Sequence, residues 1–99
     1  MMNKNEYQHD KIIRENIGFF IRQSRLNKSL SGDQLGKLIN VSQQQVSRYE
    51  NGNTSLNIET LNTILKVLDV SWHDFFYKVL QVEVDDNDYK KINCHSDSL

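Results

Sequence analysis

Side chains that form paired hydrogen bonds are concentrated in one short segment, VSQQQVSRYENG, from Val41 to Gly52. A glutamine amide donates and accepts at the same time, and an arginine guanidinium donates from several N–H groups in a fixed fork. Long amides are also poor material for an apolar core. The segment therefore indicates a surface that recognises hydrogen-bonding partners, and the alternative is a polar surface without any partner.

Helical geometry, at about 100° per residue, divides this segment into two faces. One face carries two amides, a hydroxyl and a guanidinium, from Gln43, Gln44, Ser47 and Arg48. Val46 and Tyr49 fall on the other side, where they can anchor the helix to a core, and Gln45 falls on the flank. The segment is thus predicted to be one helix with an inner apolar side and an outer recognition side.

The outer side carries the groups that proteins use in the major groove of DNA. Glutamine pairs with adenine at N6 and N7, and arginine pairs with guanine at O6 and N7. The free N–H groups at the helix start, together with the hydroxyl of Ser42 as the cap, suit a phosphate. Because the spacing, the cap and the face agree, we interpret the segment as a DNA-reading helix.

The elements that must position this helix are predicted to be helices as well, because the chain has no proline and few strand patterns. Five are expected: from about Asp10 to Asn27, Ser31 to Asn40, Ser42 to Asn51–Gly52, Ile58 to Leu68, and from Ser71 onwards. Ser31 with Gln34, and Ser42 with Gln45, have the capping-box spacing. Asn40 tolerates the left-handed conformation of a tight turn. The second and third helices therefore match a helix-turn-helix unit.

Apolar residues at helical spacing predict the buried face of each helix. The predicted inner residues are Ile13, Ile17, Phe20, Ile21 and Ser24 in the first helix, Leu35, Leu38 and Ile39 in the second, and Ile58, Leu61, Ile64, Leu65 and Leu68 in the fourth. Gly18 lies inside the first helix, where it costs about 1 kcal/mol relative to alanine. We interpret it as a residue that permits a close helix contact.

The chain of 99 residues fits one domain with one modest core. We place an all-α domain at residues 10–80, after an N-terminal extension at 1–9 and before an acidic tail at 81–99. Val82 and Val84 alternate with Glu83, which is a weak strand signal. The start of the tail is predicted to contact a partner and to be partly ordered in a dimer.

Charge is distributed unevenly along the chain, although the net charge is only −1. Residues 1–53 carry eight basic and five acidic side chains, whereas residues 54–99 carry four basic and eight acidic ones. This separation indicates one surface for an anion and another for a different partner.

Several classes of protein are not supported. No run of 18 apolar residues predicts a membrane span, and MMNKNEYQHD lacks the pattern of a secretory signal. The single cysteine, Cys94, excludes an internal disulfide and fits a cytoplasmic protein. Neither Cys94 with His95 nor His73 with Asp74 forms a convincing metal or catalytic constellation. We expect no enzyme activity, no cofactor and no metal.

From Ile17 to Phe76 the sequence resembles the Cro/repressor (XRE-type) helix-turn-helix family. The resemblance rests on IGFFIRQSR, LSGDQLGKLINVSQQQVSRYENG and LNTILKVLDVSWHDFF, which occur in the family's order and spacing. It implies a five-helix repressor-like domain that binds DNA and regulates transcription. The string SQQQVSRYE also resembles a subgroup of enterobacterial regulators that are encoded with fimbrial operons and repress motility genes.

The resemblance also implies roles for individual residues. The DNA-binding set is Ser42, Gln43, Gln44, Gln45, Ser47, Arg48, Asn51 and Asn53, with Gln43 and Gln44 reading bases and the two asparagines meeting the phosphate backbone. The set that supports the recognition helix is Arg25, Glu50, Val46 and Tyr49, in which the first two form a partly buried ion pair. The chain departs from the family at Gly32, where glutamine is common, at Gly36, where alanine is usual, and at Asn40, where glycine is usual.

One recognition helix reads only about four or five base pairs, so a homodimer on a near-palindromic operator is expected. The predicted dimer surface comprises Trp72, Phe76, Tyr77, Val79, Leu80, Val82 and Val84, although the aromatic residues are also explained by core closure. No small-molecule effector is indicated. An antitoxin or phage-type repressor is the alternative within DNA binding, and a protein-interaction module without DNA binding is the alternative from another class.

Overall fold

A computed structural model describes residues 4–83, with side chains from residue 8 to residue 80. Five helices follow one another: α1 (Lys4–Asn27), α2 (Gly32–Ile39), α3 (Gln43–Glu50), α4 (Ile58–Val67) and α5 (Trp72–Glu83). The predicted all-α architecture is confirmed, and the part of the chain described contains no strand. Helix α1 packs against α3 and α5, while α2 packs against α3 and α4.

The cap of α2 forms the complete capping box that its spacing predicts, and the cap of α3 forms one of the two predicted bonds. In α2, Ser31 Oγ accepts from the Gln34 N–H at 3.0 Å, and Gln34 Oε1 accepts from the Ser31 N–H at 2.8 Å. Asn40 ends α2 in the left-handed conformation, at φ 62°. In α3, Ser42 Oγ accepts from the Gln45 N–H at 3.1 Å. Both caps satisfy amide groups that a helix start otherwise leaves without a partner.

The core lies where all five helices converge. Its buried members are Ile21, Leu35, Val46, Leu61, Ile64, Leu65, Leu68, Phe75 and Val79. Phe75 also makes edge-to-face contacts with Phe20 and Trp72, at ring-centroid distances of 5.4 and 5.7 Å. Apolar burial of this kind is the main source of the domain's stability.

Three expectations about the helices are wrong. Helix α1 begins at Lys4 rather than near Asp10. Its first residues lack apolar periodicity, but they extend a helix whose later turns are stabilised by packing against the core. Leu38 is exposed, because α2 turns Leu35 and Gly36 inward and thereby rotates Leu38 outward. Ile58 is the first residue of α4, and its side chain is exposed outside the core.

Two further differences concern α5 and the start of the tail. The backbone at Val82 is helical, so the weak strand signal there is wrong. Val84 and the rest of the acidic tail lie outside the described residues. Val79, one of the predicted dimer residues, is buried in the core of its own protomer and cannot line such a surface. No helix between residues 4 and 83 combines the length and apolar character needed to cross a bilayer.

Candidate DNA-recognition interface

Helix α3 is attached to the core by its inner side. Val46 is 1% exposed and belongs to the core, and Tyr49 is half-buried and packs against it. These two residues lie on the side of the helix that the periodicity predicts. The attachment fixes the angle at which the opposite side of α3 faces solvent.

We expect Val46→Ala to lower the free energy of unfolding by roughly 2 kcal/mol, because it removes two buried methyl groups and leaves a cavity. Thermal unfolding followed by circular dichroism measures this loss. DNA affinity at a temperature where the variant is folded should change little, since Val46 does not reach the outer side of α3. A variant with unaltered thermal stability would show that Val46 is not an anchor.

The C-terminal end of α3 lies unusually close to α1. A methyl group built at Gly18 would lie 2.4 Å from the Tyr49 carbonyl oxygen and 2.5 Å from that of Glu50. A methyl group built at Gly52, where φ is +71°, would likewise lie 2.8 Å from backbone atoms of Glu15. The backbone of α1 and the end of α3 are therefore in direct contact, which confirms that Gly18 permits a close approach.

An ion pair joins the same two helices. Arg25 Nε and Nη2 donate to the two carboxylate oxygens of Glu50 at 2.7 and 2.9 Å, and Arg25 Nη1 donates to the Leu30 carbonyl at 2.8 Å. The two side chains are only 11% and 6% exposed. The hydrogen bonds to Glu50 raise the pKa of the Arg25 guanidinium, and burial opposes this rise. The predicted pair is present, and it is bidentate.

The outer side of α3 carries the predicted recognition residues, and none of them belongs to the core. Gln43, Gln44, Ser47 and Arg48 are exposed along one side of the helix, next to the cap Ser42. Among the described residues, only short-range side-chain bonds involve this set: Arg48 Nη1 donates to Gln45 Oε1 at 3.4 Å, and Asn51 Nδ2 donates to Ser47 Oγ at 3.3 Å. Their polar groups are thus available to a ligand in solvent.

The other predicted DNA-binding residues are Gln45, Asn51 and Asn53. Gln45 is half-buried and takes the flank contact with Arg48, while the reciprocal capping bond to Ser42 is not formed. Asn51 is the C-cap of α3, and Asn53 lies in the loop that follows; both are exposed. Helix α3 thus exposes its N-terminal turn and one side to solvent, and the loop that carries Asn53 lies at its C-terminal end.

The turn between α2 and α3 depends on glycine in a way that the sequence did not reveal. A methyl group at Gly36 would lie 2.6 Å from the Val41 carbonyl oxygen. Alanine, usual at this position in the family that the sequence resembles, would be too close here. A methyl group at Gly32, in contrast, would lie 3.6 Å from Gln43 Cγ, which is an ordinary contact. The position where glutamine is common thus borders the first predicted base reader.

The predicted dimer residues are divided between surface and interior. Phe76, Tyr77 and Leu80 are exposed on α5. Trp72 is half-buried, and its indole N–H donates to Asn62 Oδ1 on α4 at 3.0 Å, so it closes the domain. The exposed apolar surface of α5 is therefore smaller than predicted.

No group of three His, Cys, Asp or Glu side chains in the described part of the chain could hold a metal ion.

Comparison with known proteins agrees with this geometry. Two similar structures are the clp gene regulator ClgR from Corynebacterium glutamicum and the wild-type restriction-modification controller protein C.Esp1396I. ClgR superposes with a TM-score of 0.66 and 25% identity, over 70% of this chain and 88% of its own. The controller protein gives 0.66 and 26%, over 74% and 94%. No curated protein sequence matches the chain.

A family model covers the same region of the chain. Residues 21–75, more than half of the 99, match the helix-turn-helix family HTH_3. The matched region runs from α1 into α5 and includes the α2–turn–α3 unit with its exposed polar side. This family is a class of DNA-binding regulators rather than of enzymes. The chain belongs to the XRE-type helix-turn-helix family and is a DNA-binding transcriptional regulator.

Proposed function

We propose that this protein is a sequence-specific, dimeric repressor that inserts α3 into the major groove of duplex DNA. The observation that carries the proposal is the outer side of α3, where two amides, a hydroxyl and a guanidinium lie exposed on a helix that is anchored from behind. The assigned readers are Gln43 and Gln44. Arg48 contacts a base or a phosphate, and Ser42, Asn51 and Asn53 contact the backbone.

A dimer is part of the proposal because a single helix reads too few base pairs to select one operator. Two copies related by a two-fold axis would read two half-sites about one helical turn apart on a near-palindrome. The surface offered for this pairing is the exposed part of α5, formed by Phe76, Tyr77 and Leu80. The protein acts in the cytoplasm, associated with the nucleoid when bound, and without a small-molecule effector.

Selection from random DNA duplexes tests sequence specificity directly. We expect an enriched near-palindrome whose two halves are about 10 base pairs apart, centre to centre. Retention should also fall as salt rises, because phosphate contacts release counterions. If no motif is enriched and retention does not depend on salt, the chain is better described as a protein-interaction module that has lost DNA binding.

We expect Gln44→Ala to weaken binding to the selected operator by about 1–3 kcal/mol and to relax the preference at one base pair of each half-site. Fluorescence anisotropy with the operator and with single-base variants measures both effects. Gln8→Ala is the matched control, because Gln8 is an exposed glutamine on α1 and is not in the predicted DNA-binding set. If Gln44→Ala leaves the affinity and the motif unchanged, Gln44 does not read a base.

The regulated genes are proposed to be fimbrial or motility genes, and the support for this is the string SQQQVSRYE on the recognition helix. Genome-wide mapping of bound DNA tests it. Peaks upstream of fimbrial or flagellar genes, with higher expression of those genes after deletion, would support repression. Peaks limited to a neighbouring toxin gene or to an integrase region would instead identify an antitoxin or a phage-type repressor.

A further inference from the structure

Helix α1 carries a line of exposed apolar side chains that neither the core nor the recognition helix uses. Ile12, Phe19 and Leu26 are 48%, 62% and 48% exposed. They are spaced by seven residues, so they form one stripe along the helix over roughly 20 Å. Asn16 and Gln23 occupy the intervening positions of the same stripe. We call these five residues the α1 stripe.

The α1 stripe has the pattern of a helix-pairing seam. In helices that pair side by side, apolar residues repeat at two positions of each seven, and a polar amide at such a position selects the register at a cost in stability. The α1 stripe supplies one of these positions with apolar side chains, and Asn16 and Gln23 fall next to the other. Lone exposed apolar residues need no explanation, but three at this spacing on one helix do. The α1 stripe therefore points to a second helix as its partner.

We propose that the partner is α1 of a second copy of this chain, packed antiparallel about a two-fold axis beside Phe19. Ile12 then meets Leu26 of the other copy, and the two Phe19 side chains meet each other, because these positions are symmetric about residue 19. The polar Asn16 meets Gln23. The stripe is therefore complementary to itself in one register.

Charge along the edge of the stripe favours the same arrangement. Glu15 and Arg22 are both exposed on the flank of α1 that faces away from α5, and no ion pair within the described chain involves either one. In an antiparallel pair the same flanks of the two helices face each other, so Glu15 of each copy meets Arg22 of the other. The interface then contains two symmetry-related ion pairs.

A parallel arrangement does not fit the charges of this helix. It would bring the Glu15–Arg22 flank of one copy against the opposite flank of the other, which carries the uncharged Asn16 and Gln23. Neither charge would then meet an opposite charge. An open groove of about 610 Å³ between α1 and α5 begins at Phe19. Phe20, Val70 and Val79 form its apolar part, and Asp74 and Lys78 are among the polar residues that also line it. This groove gives the Phe19 ring of the second copy an apolar surface to cover.

The α1 pair is separate from the α5 surface that is proposed for dimerisation, since Phe76, Tyr77 and Leu80 do not line this groove. A chain with two self-complementary surfaces forms either a closed tetramer or an extended array. The α1 pair thereby provides a contact between one operator-bound dimer and another. The inference does not depend on DNA binding, and it can be tested without DNA.

Site-specific disulfide formation in the full chain tests both contact and orientation, in a Cys94→Ser background with copper phenanthroline as the oxidant. We expect Phe19→Cys to form a covalent dimer. Glu15→Cys and Arg22→Cys should not cross-link alone, but a mixture of the two should give a heterodimer. Absence of the Phe19→Cys dimer would overturn the pairing, and a Glu15→Cys homodimer would overturn the antiparallel orientation.

Charge reversal provides a second measurement that does not rely on cysteine. In sedimentation experiments, Glu15→Arg and Arg22→Glu should each raise the dissociation constant of the α1 pair roughly tenfold, because each makes two like-charge contacts. Mixing the two variants should restore association, since opposite charges then meet in the heterodimer. Unchanged thermal stability of both variants shows that they fold. If neither variant weakens association, or if the mixture does not recover it, the proposed pairing is wrong.

Discussion

Gly18→Ala should destabilise the domain by about 3 kcal/mol or more, although the same change in an exposed helix stabilises by about 1 kcal/mol. The added methyl group would lie 2.4–2.5 Å from the carbonyl oxygens of Tyr49 and Glu50. These are backbone atoms, so α1 and α3 must move apart to accommodate it. Denaturant unfolding measures the loss, and the melting temperature should fall by more than about 10 °C. DNA affinity should fall as well, because α3 loses its fixed position.

Gly32→Ala is the matched control for this change. Its methyl group meets only Gln43 Cγ, at 3.6 Å, which is ordinary van der Waals contact. We therefore expect its stability to equal that of the parent or to exceed it slightly. If Gly18→Ala is as stable as Gly32→Ala, α1 and the end of α3 are not in backbone contact.

Arg25→Ala should lower the free energy of unfolding by about 3–5 kcal/mol, because it leaves the carboxylate of Glu50 buried without its partner. The Leu30 carbonyl also loses its donor. The pKa of Arg25 is raised in the folded protein. The stability that Arg25 contributes is therefore fully present at pH values below the ordinary pKa of arginine, and it is lost only as the pH rises through the raised pKa. Its contribution should therefore be constant across neutral pH. Urea unfolding at several pH values measures both the loss and its constancy.

Two further variants distinguish the loss of the buried ion pair from the loss of a surface charge. Lys28→Ala removes the exposed pair between Lys28 and Asp69, at 3.8 Å, and should cost less than about 1 kcal/mol. The double variant Arg25→Met with Glu50→Leu should recover much of the loss, because no unpaired buried charge remains. An Arg25→Ala variant no less stable than Lys28→Ala would mean that the pair is not buried in solution.

Local signals in the sequence predict the parts of the fold that local chemistry determines. The capping residues Ser31 and Ser42, the left-handed Asn40 and the stop at Gly52 act through their own backbone neighbours, so their patterns predict their geometry. The outer side of α3 is predictable for the same reason, since helical geometry alone separates Gln44 from Val46.

Features that depend on a distant partner could not be predicted in the same way. Leu38 satisfies the spacing of an inner residue, but the close packing of Gly36 against the turn rotates it into solvent. The spacing of Val79 from Trp72 and Phe75 predicts an apolar face but not whether that face packs within its own protomer or against a second copy, and the structure places Val79 in the core with Phe75. The sequence indicates that Gly18 allows a close approach, whereas only the structure identifies the two carbonyl groups that it approaches.

The way in which α3 is held has a consequence for how this domain can change its target. Its C-terminal end is held by the Gly18 contact, the Arg25–Glu50 pair and Gly52, whereas the side chains of Gln43 and Gln44 at the other end are exposed and are not part of the core. Substitutions of these two glutamines therefore leave folding almost untouched while altering which bases are read. The scaffold and the reading residues can diverge independently, so a change of operator needs no compensating change in stability.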